Sequence, residues 1–173
     1  MIAAVHRAVA DQVDWIQLRE KHLAARELAV LARRVIAIAR SGQTKVLINS
    51  RLDAAIACGA DGVHLPSDFL SLETVRSITP PGWLIGVSTH SLAEAQTAER
   101  AGANYVLFGP VFESISKQGY GSKQGLETLK WVCNHITIPV LALGGVTMEN
   151  SESCIEAGAA GVAGISLFQR SEV

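Results

Sequence analysis

Ala57-Cys58-Gly59-Ala60-Asp61-Gly62-Val63 decides the fold, because the chain repeats its pattern twice more. Arg100-Ala101-Gly102-Ala103-Asn104-Tyr105-Val106 and Glu156-Ala157-Gly158-Ala159-Ala160-Gly161-Val162 run the same way. Each follows a helical stretch and precedes an apolar strand. The first glycine of each suits a left-handed helix C-cap, where a Cβ would be costly, and the short connection returns the chain directly to a sheet.

Outward from these three joints, short runs rich in Val, Ile and Leu predict strands at 15–18, 45–49, 62–65, 84–88, 105–109, 140–144 and 161–165. Such runs are expected where both faces of a strand are covered. Helical patterns occupy 2–13, 24–40, 52–58, 70–77, 91–101, 125–135 and 149–157. Ser91 with Glu94 three residues later forms a capping box for the fifth of these. Strand–helix alternation along the whole chain implies parallel strands with right-handed crossovers. An open doubly wound sheet and a closed barrel both fit that alternation. No Gly-x-Gly-x-x-Gly turn follows a first strand, and polar residues recur at nearly every strand's C-terminal end, as in a barrel. The expectation is a single α/β domain over 1–173, a TIM (β/α)8-type barrel. It is shortened, apparently lacking the first strand and the closing helix, since seven strands are counted and barrels commonly run to about 250 residues.

Bulk properties exclude several function classes. The 173 residues are 49% apolar and 18% charged, with a net charge of −1, which gives no field for nucleic acid or a membrane surface. No apolar run approaches membrane-spanning length, and His6, Arg7 and Asp11 interrupt any secretory core. Cys58, Cys133 and Cys154 lack metal or redox spacing, so reduced thiols in a cytoplasmic protein are expected.

The strand ends hold the candidate chemistry. Gln17 and Arg19 lie two apart, so an extended strand points both to one face, opposite Ile16 and Leu18. Buried without partners they would cost several kcal/mol; at a strand's C-terminal end they can bind an anionic ligand together with Lys21. A rim ion-pair network with Glu20 is the plainer reading of Arg19 and Lys21. Asn49 ends the second strand, either as a ligand contact or as a helix cap. His64, between Val63 and Leu65, reads as a core histidine. Ser88 and His90 end the fourth strand, and His90 is the better candidate for proton transfer. After the fifth strand, Glu113, Ser114, Ser116 and Lys117 lie in a polar loop able to act as a lid. The sixth strand ends in Gly144-Gly145 and the seventh in Gly164-Ile165-Ser166. In barrels, glycine-rich loops after the last two strands present backbone N–H groups to a phosphate; two tight turns are the competing reading.

Several motifs in order resemble the thiamine phosphate synthase / TenI (thiazole tautomerase) superfamily over about 13–168. They are Gln-Leu-Arg-Glu-Lys at 17–21, Ile-Asn-Ser-Arg-Leu-Asp at 48–53, Gly-Val-His-Leu at 62–65 and Gly-Val-Ser-Thr-His-Ser at 86–91. Phe-Gly-Pro-Val-Phe at 108–112 follows, with Ser-Lys at 116–117, Ala-Leu-Gly-Gly-Val at 142–146 and Gly-Ile-Ser at 164–166. The resemblance implies a TIM barrel binding thiazole phosphate or thiamine phosphate at its C-terminal face. A synthase of this kind joins a pyrimidine pyrophosphate to thiazole phosphate with Mg²⁺ held by aspartates. This chain has Ser50 and Phe69 at those positions, with Asp68 adjacent to the second. Magnesium requires oxygen ligands in near-octahedral order, so Mg²⁺ is expected only if synthase activity is retained. Leu65-Pro66-Ser67 and Glu113 resemble the TenI branch, which moves a proton without a metal. The acid/base histidine of that branch falls at Pro110, leaving His90, Glu113 and Lys117 as the catalytic candidates.

The expected function is therefore a TenI-like protein of thiamine biosynthesis that binds a phosphorylated thiazole, with tautomerase as its reaction. Thiamine phosphate synthase with a degenerate Mg site is the alternative, and a non-catalytic phosphate-ligand-binding or regulatory protein is the third reading. Gln17, Arg19, Lys21, Asn49, Ser88, Ser114 and Ser116 would contact the substrate. Gly144, Gly145, Gly164, Ile165 and Ser166 would hold its phosphate. An open barrel exposes strand edges, so a homo-oligomer is expected, with no nucleic-acid or membrane partner.

Overall fold

The computed structural model describes residues 1–68, 71–113, 123–165 and 167–168. The chain forms two compact units: Met1–Leu65 with Val75–Ile85, and Pro66–Thr74 with Gly86–Val173.

In the first unit, α1 (Ile2–Ala10), β1 (Trp15–Leu18), α2 (Ala25–Ala39), β2 (Lys45–Asn49), α3 (Leu52–Cys58) and β3 (Gly62–Leu65) follow one another. The strands pair in sequence order and in parallel, Trp15 opposite Lys45 and Leu47 opposite Gly62. Val46, Leu47, Ile48 and all of β3 are buried, as both-face coverage requires. The helices supply Leu28, Ala32, Val35, Ile36, Ala54 and Ala55 to the core. Two elements pass between the units along the chain: α4 (Leu72–Ile78) and β4 (Leu84–Thr89).

The second unit continues with α5 (Leu92–Arg100), β5 (Tyr105–Phe108), α6 (Gly125–Cys133), β6 (Val140–Leu143), α7 (Ser151–Glu156) and β7 (Gly161–Ala163). Its strands are again parallel and in sequence order, with Gly86 opposite Tyr105, Val106 opposite Val140 and Leu141 opposite Gly161. Val106, Phe108, Leu129, Val132, Ala142 and Cys154 centre its core. Among the described residues, no helix is long and apolar enough to cross a membrane.

The three repeated joints close alike. Gly59, Gly102 and Gly158 are all left-handed, at φ of 64°, 88° and 98°. The residue after each glycine donates its N–H back into the helix: Ala60 to Ala55, Ala103 to Ala98, Ala159 to Cys154. That bond satisfies a carbonyl the helix end would otherwise orphan, and it aims the chain at the next strand. Helix α1 ends the same way, with Gln12 at φ 56° in the glycine's place and the Val13 N–H on the Ala8 carbonyl. It therefore stops at Ala10, short of the expected 13. Strands β5, β6 and β7 also end earlier than expected, at Phe108, Leu143 and Ala163, while β4 runs one residue further, to Thr89. Gly109 still donates its N–H to the Thr89 carbonyl, and Gly144 turns left-handed directly after β6.

Candidate functional site

At the strand ends of the first unit, side chains carry the chemistry. Gln17 is half-buried in β1, paired in register with Leu47, and Arg19 and Lys21 are exposed just beyond the strand. The Arg19 charge reaches His64, which is buried in β3. Burial holds the His64 pKa down to about 4, and the Arg19 guanidinium pushes it the same way. His64 is thus a neutral imidazole inside the unit, as expected of a core histidine.

Asn49 does not cap α3: its Nδ2 donates to the Ser50 hydroxyl at 2.9 Å. Ser50 stands in the left-handed region at φ 59° and gives its N–H to the His64 carbonyl at 2.8 Å. A non-glycine residue held there marks a position that its surroundings fix. One turn on, Arg51 grips Asp53 through two hydrogen bonds of 2.9 and 2.6 Å, and the guanidinium holds that carboxyl at about 2. The magnesium implied by the family resemblance finds no carboxylate pair here. Ser50 offers a hydroxyl already engaged by Asn49, and Asp53 is committed to Arg51. Asp68 is exposed, Phe69 lies outside the described residues, and no metal-ligating cluster occurs among the described residues. These residues do not fit a magnesium site.

At the strand ends of the second unit, backbone approach dominates. Gly144 and Gly145 are left-handed, at φ 94° and 65°. A Cβ on Gly144 would sit 2.6 Å from the Pro110 Cα, and one on Gly145 would sit 2.4 Å from the Glu113 carbonyl oxygen. Only glycine fits both. The Val111 and Phe112 N–H groups bond the Leu143 and Gly144 carbonyls, so the segment after β5 lies along the end of β6. Asn150 brackets the glycine loop: its Nδ2 donates to the Gly145 carbonyl at 3.0 Å and its Oδ1 accepts the Thr147 N–H at 2.8 Å.

Ser88 is half-buried in β4. His90, exposed at the end of that strand, donates from Nδ1 to the Gly109 carbonyl at 2.5 Å. The capping box predicted at Ser91 and Glu94 forms with a shift. The Ser91 hydroxyl accepts the Glu94 N–H, whereas the Glu94 carboxylate takes the His90 N–H at 2.7 Å. Glu113 is 82% exposed and ion-paired with Lys123 at 3.0 Å. Gly164 and Ile165 lie past the end of β7, and Ile165 is 70% exposed. Ser114, Ser116, Lys117 and Ser166 lie outside the described residues.

One contributor escaped sequence reading, Asn150, whereas Glu94, read as the capping-box acid, reaches one residue further back than that motif requires. Nothing in the sequence showed that Glu94 would reach back to His90.

The family model described as thiamine monophosphate synthase matches residues 1–168. The thiamine-phosphate synthase of Methanoculleus marisnigri is 43% identical over 92% of this chain and 75% of its own length. That of Chlorobium luteolum is 41% identical over 97% and 79%. Among solved structures, the thiamine phosphate pyrophosphorylase from Pyrococcus furiosus superposes with a TM-score of 0.86 at 32% identity, over 95% of this chain and 79% of that one. The fold is accordingly the TIM-type barrel in its shortened form, with parallel strands alternating with helices. With the match covering nearly the whole sequence, the chain belongs to the thiamine monophosphate synthase family.

Proposed function

We propose that the chain works in thiamine biosynthesis, binding a thiazole phosphate and joining it to a pyrimidine pyrophosphate with release of pyrophosphate. The single observation that carries this is the family match over 1–168, reinforced by relatives that bear the synthase name at about two-fifths identity. The strand-end groups suit the ligand. Gln17, Arg19, Lys21 and Asn49 would meet the ring and its charged groups, and Ser88, Ser114, Ser116 and Lys117 are proposed as further substrate contacts. Gly144, Gly145, Gly164, Ile165 and Ser166 would cradle the phosphate through backbone N–H groups. No step is assigned to magnesium, because Ser50 and the Arg51–Asp53 pair do not supply its ligands.

Mixing the purified chain with both substrates, with and without Mg²⁺, tests this. Pyrophosphate release and thiamine phosphate formation are expected, and neither appearing under any condition rejects the synthase reading.

One observation favours a second reading, thiazole tautomerase: the position expected to carry a metal-binding carboxylate is Ser50, its hydroxyl already bonded to Asn49. Moving a proton on a thiazole carboxylate phosphate needs no metal. Conversion of that compound to its aromatic isomer, followed by ultraviolet absorbance, tests it. Tight thiamine phosphate binding with no turnover in either assay would leave a regulatory binder. A cytoplasmic homo-oligomer is the form proposed for all three, and a sharp monomer boundary in sedimentation would reject the oligomer.

A further inference from the structure

We infer that His90 is the proton-transfer group of this chain, an imidazole locked in one tautomer at the end of β4; the inference rests on the tautomerase reading. Three observations converge on it. First, the Gly109 carbonyl accepts from Nδ1, so the ring proton is fixed on Nδ1 and the neutral ring carries its lone pair on Nε2. Second, the backbone beneath the ring is fixed by the Glu94 carboxylate on the His90 N–H and by the Ser91 hydroxyl on the Glu94 N–H. A ring anchored at Nδ1 above a pinned backbone loses little freedom when it acts.

Third, the partner carbonyl belongs to the residue before Pro110, and Pro110 packs directly against Gly144 in the glycine loop. His90 is therefore linked, through one carbonyl and one proline, to the loop proposed to hold the phosphate. The competing candidate, Glu113, is ion-paired with Lys123, and the other strand-end imidazole, His64, is buried.

The step balances as a proton shift. Nε2 takes a proton from a ring carbon and becomes imidazolium. The electron pair from the broken C–H bond moves through the ring to the exocyclic carbon. That carbon then takes the proton back from Nε2. One C–H bond breaks and one forms, with no oxidant and no leaving group.

Two measurements test the assignment. Long-range proton–nitrogen correlation on ¹⁵N-labelled protein is expected to show the Nδ1-protonated form of His90, bare at Nε2, and not its opposite. Separately, His90→Gln is expected to lower turnover of the thiazole carboxylate phosphate by about 100-fold or more, while thiazole phosphate affinity stays within about twofold. His90→Asn serves as a second variant should His90→Gln unfold, with the thermal midpoint as the check on folding. The opposite tautomer, or full turnover in a folded variant, overturns the inference while leaving the tautomerase reading intact. A parent chain that binds thiazole phosphate but never aromatises the carboxylate overturns that reading and the inference with it.

Discussion

The strand ends of the first unit and those of the second are built from different materials. In the first, Arg19 lies within electrostatic reach of a buried neutral His64 that pairs in register with Asn49, and the charge sits on an exposed side chain. In the second, the chain folds close upon itself: Val111 and Phe112 run along the end of β6, and Gly144 and Gly145 sit where any Cβ would strike backbone. Side-chain recognition tolerates substitution in proportion to the group removed. Recognition by closely packed backbone fails as soon as the backbone is displaced, because interiors have no slack to absorb the shift.

The sharpest way to break the comparison is a single methyl group. A Cβ on Gly109 would lie 2.0 Å from the Leu143 carbonyl oxygen and 2.9 Å from its carbon, both backbone atoms unable to swing aside. Gly109→Ala is expected to cost about 3 kcal/mol in chemical denaturation, with loss of thiazole phosphate binding. Asn49→Ala, a truncation in the first unit, should keep nearly full stability. Equal costs for the two would erase the distinction.

Next in size is an acid transition seated in the first unit. The His64 pKa is lowered to about 4 from the ordinary 6.5, so between these values the unfolded chain binds a proton that the folded chain does not. Stability therefore rises with pH across that window and is lost as pH falls through it, by roughly 3 kcal/mol. Urea midpoints from pH 7 to pH 4 read this. His64→Gln should flatten the slope, and an unchanged slope would show that another group sets it.

Arg19→Gln sharpens the first unit's side of the comparison in two ways. Removing the guanidinium should raise the His64 pKa, followed by imidazole NMR, because the Arg19 charge is one of its two depressing causes. It should also weaken thiazole phosphate binding about tenfold, roughly 1.4 kcal/mol, with a smaller salt dependence than the parent. A tenfold loss with no movement of His64 would mean that Arg19 meets the ligand away from β3.

The same contrast explains what could be read from the sequence. Gly59, Gly102 and Gly158 were legible as helix ends, because a left-handed cap leaves a glycine at a fixed place in a repeated string. The alternation of short apolar strands with helices was legible for the same reason, since periodicity survives in composition. The polar tips at Gln17, Arg19 and Asn49 could be located because a strand's side chains alternate. Backbone closure could not. That Ser50 turns left-handed and that Gly145 lies under the Glu113 carbonyl depend on contacts between residues distant in sequence or on torsions that non-glycine residues seldom adopt. The ends of β4, β5, β6 and β7 moved by one or two residues.

The gentlest probe of the backbone-built side is Asn150, because it touches the glycine loop without filling space inside it. Its amide takes the Thr147 N–H and donates to the Gly145 carbonyl, replacing water at two backbone groups whose orientation sets the turn. Asn150→Ala removes both bonds and is expected to cost about 1 kcal/mol of stability. Inorganic phosphate and thiazole phosphate should then bind a few-fold more weakly by calorimetry, each to the same degree, because the loss falls on the group the two ligands share. A loss confined to thiazole phosphate would place the phosphate elsewhere and assign Asn150 to the ring instead. Asn150→Asp separates the two roles within the bracket: the carboxylate still accepts the Thr147 N–H but gives nothing to the Gly145 carbonyl, and its charge repels an anion. It should bind phosphate more weakly than Asn150→Ala while retaining more of the loop's stability, an ordering that a site built from side chains alone would not produce.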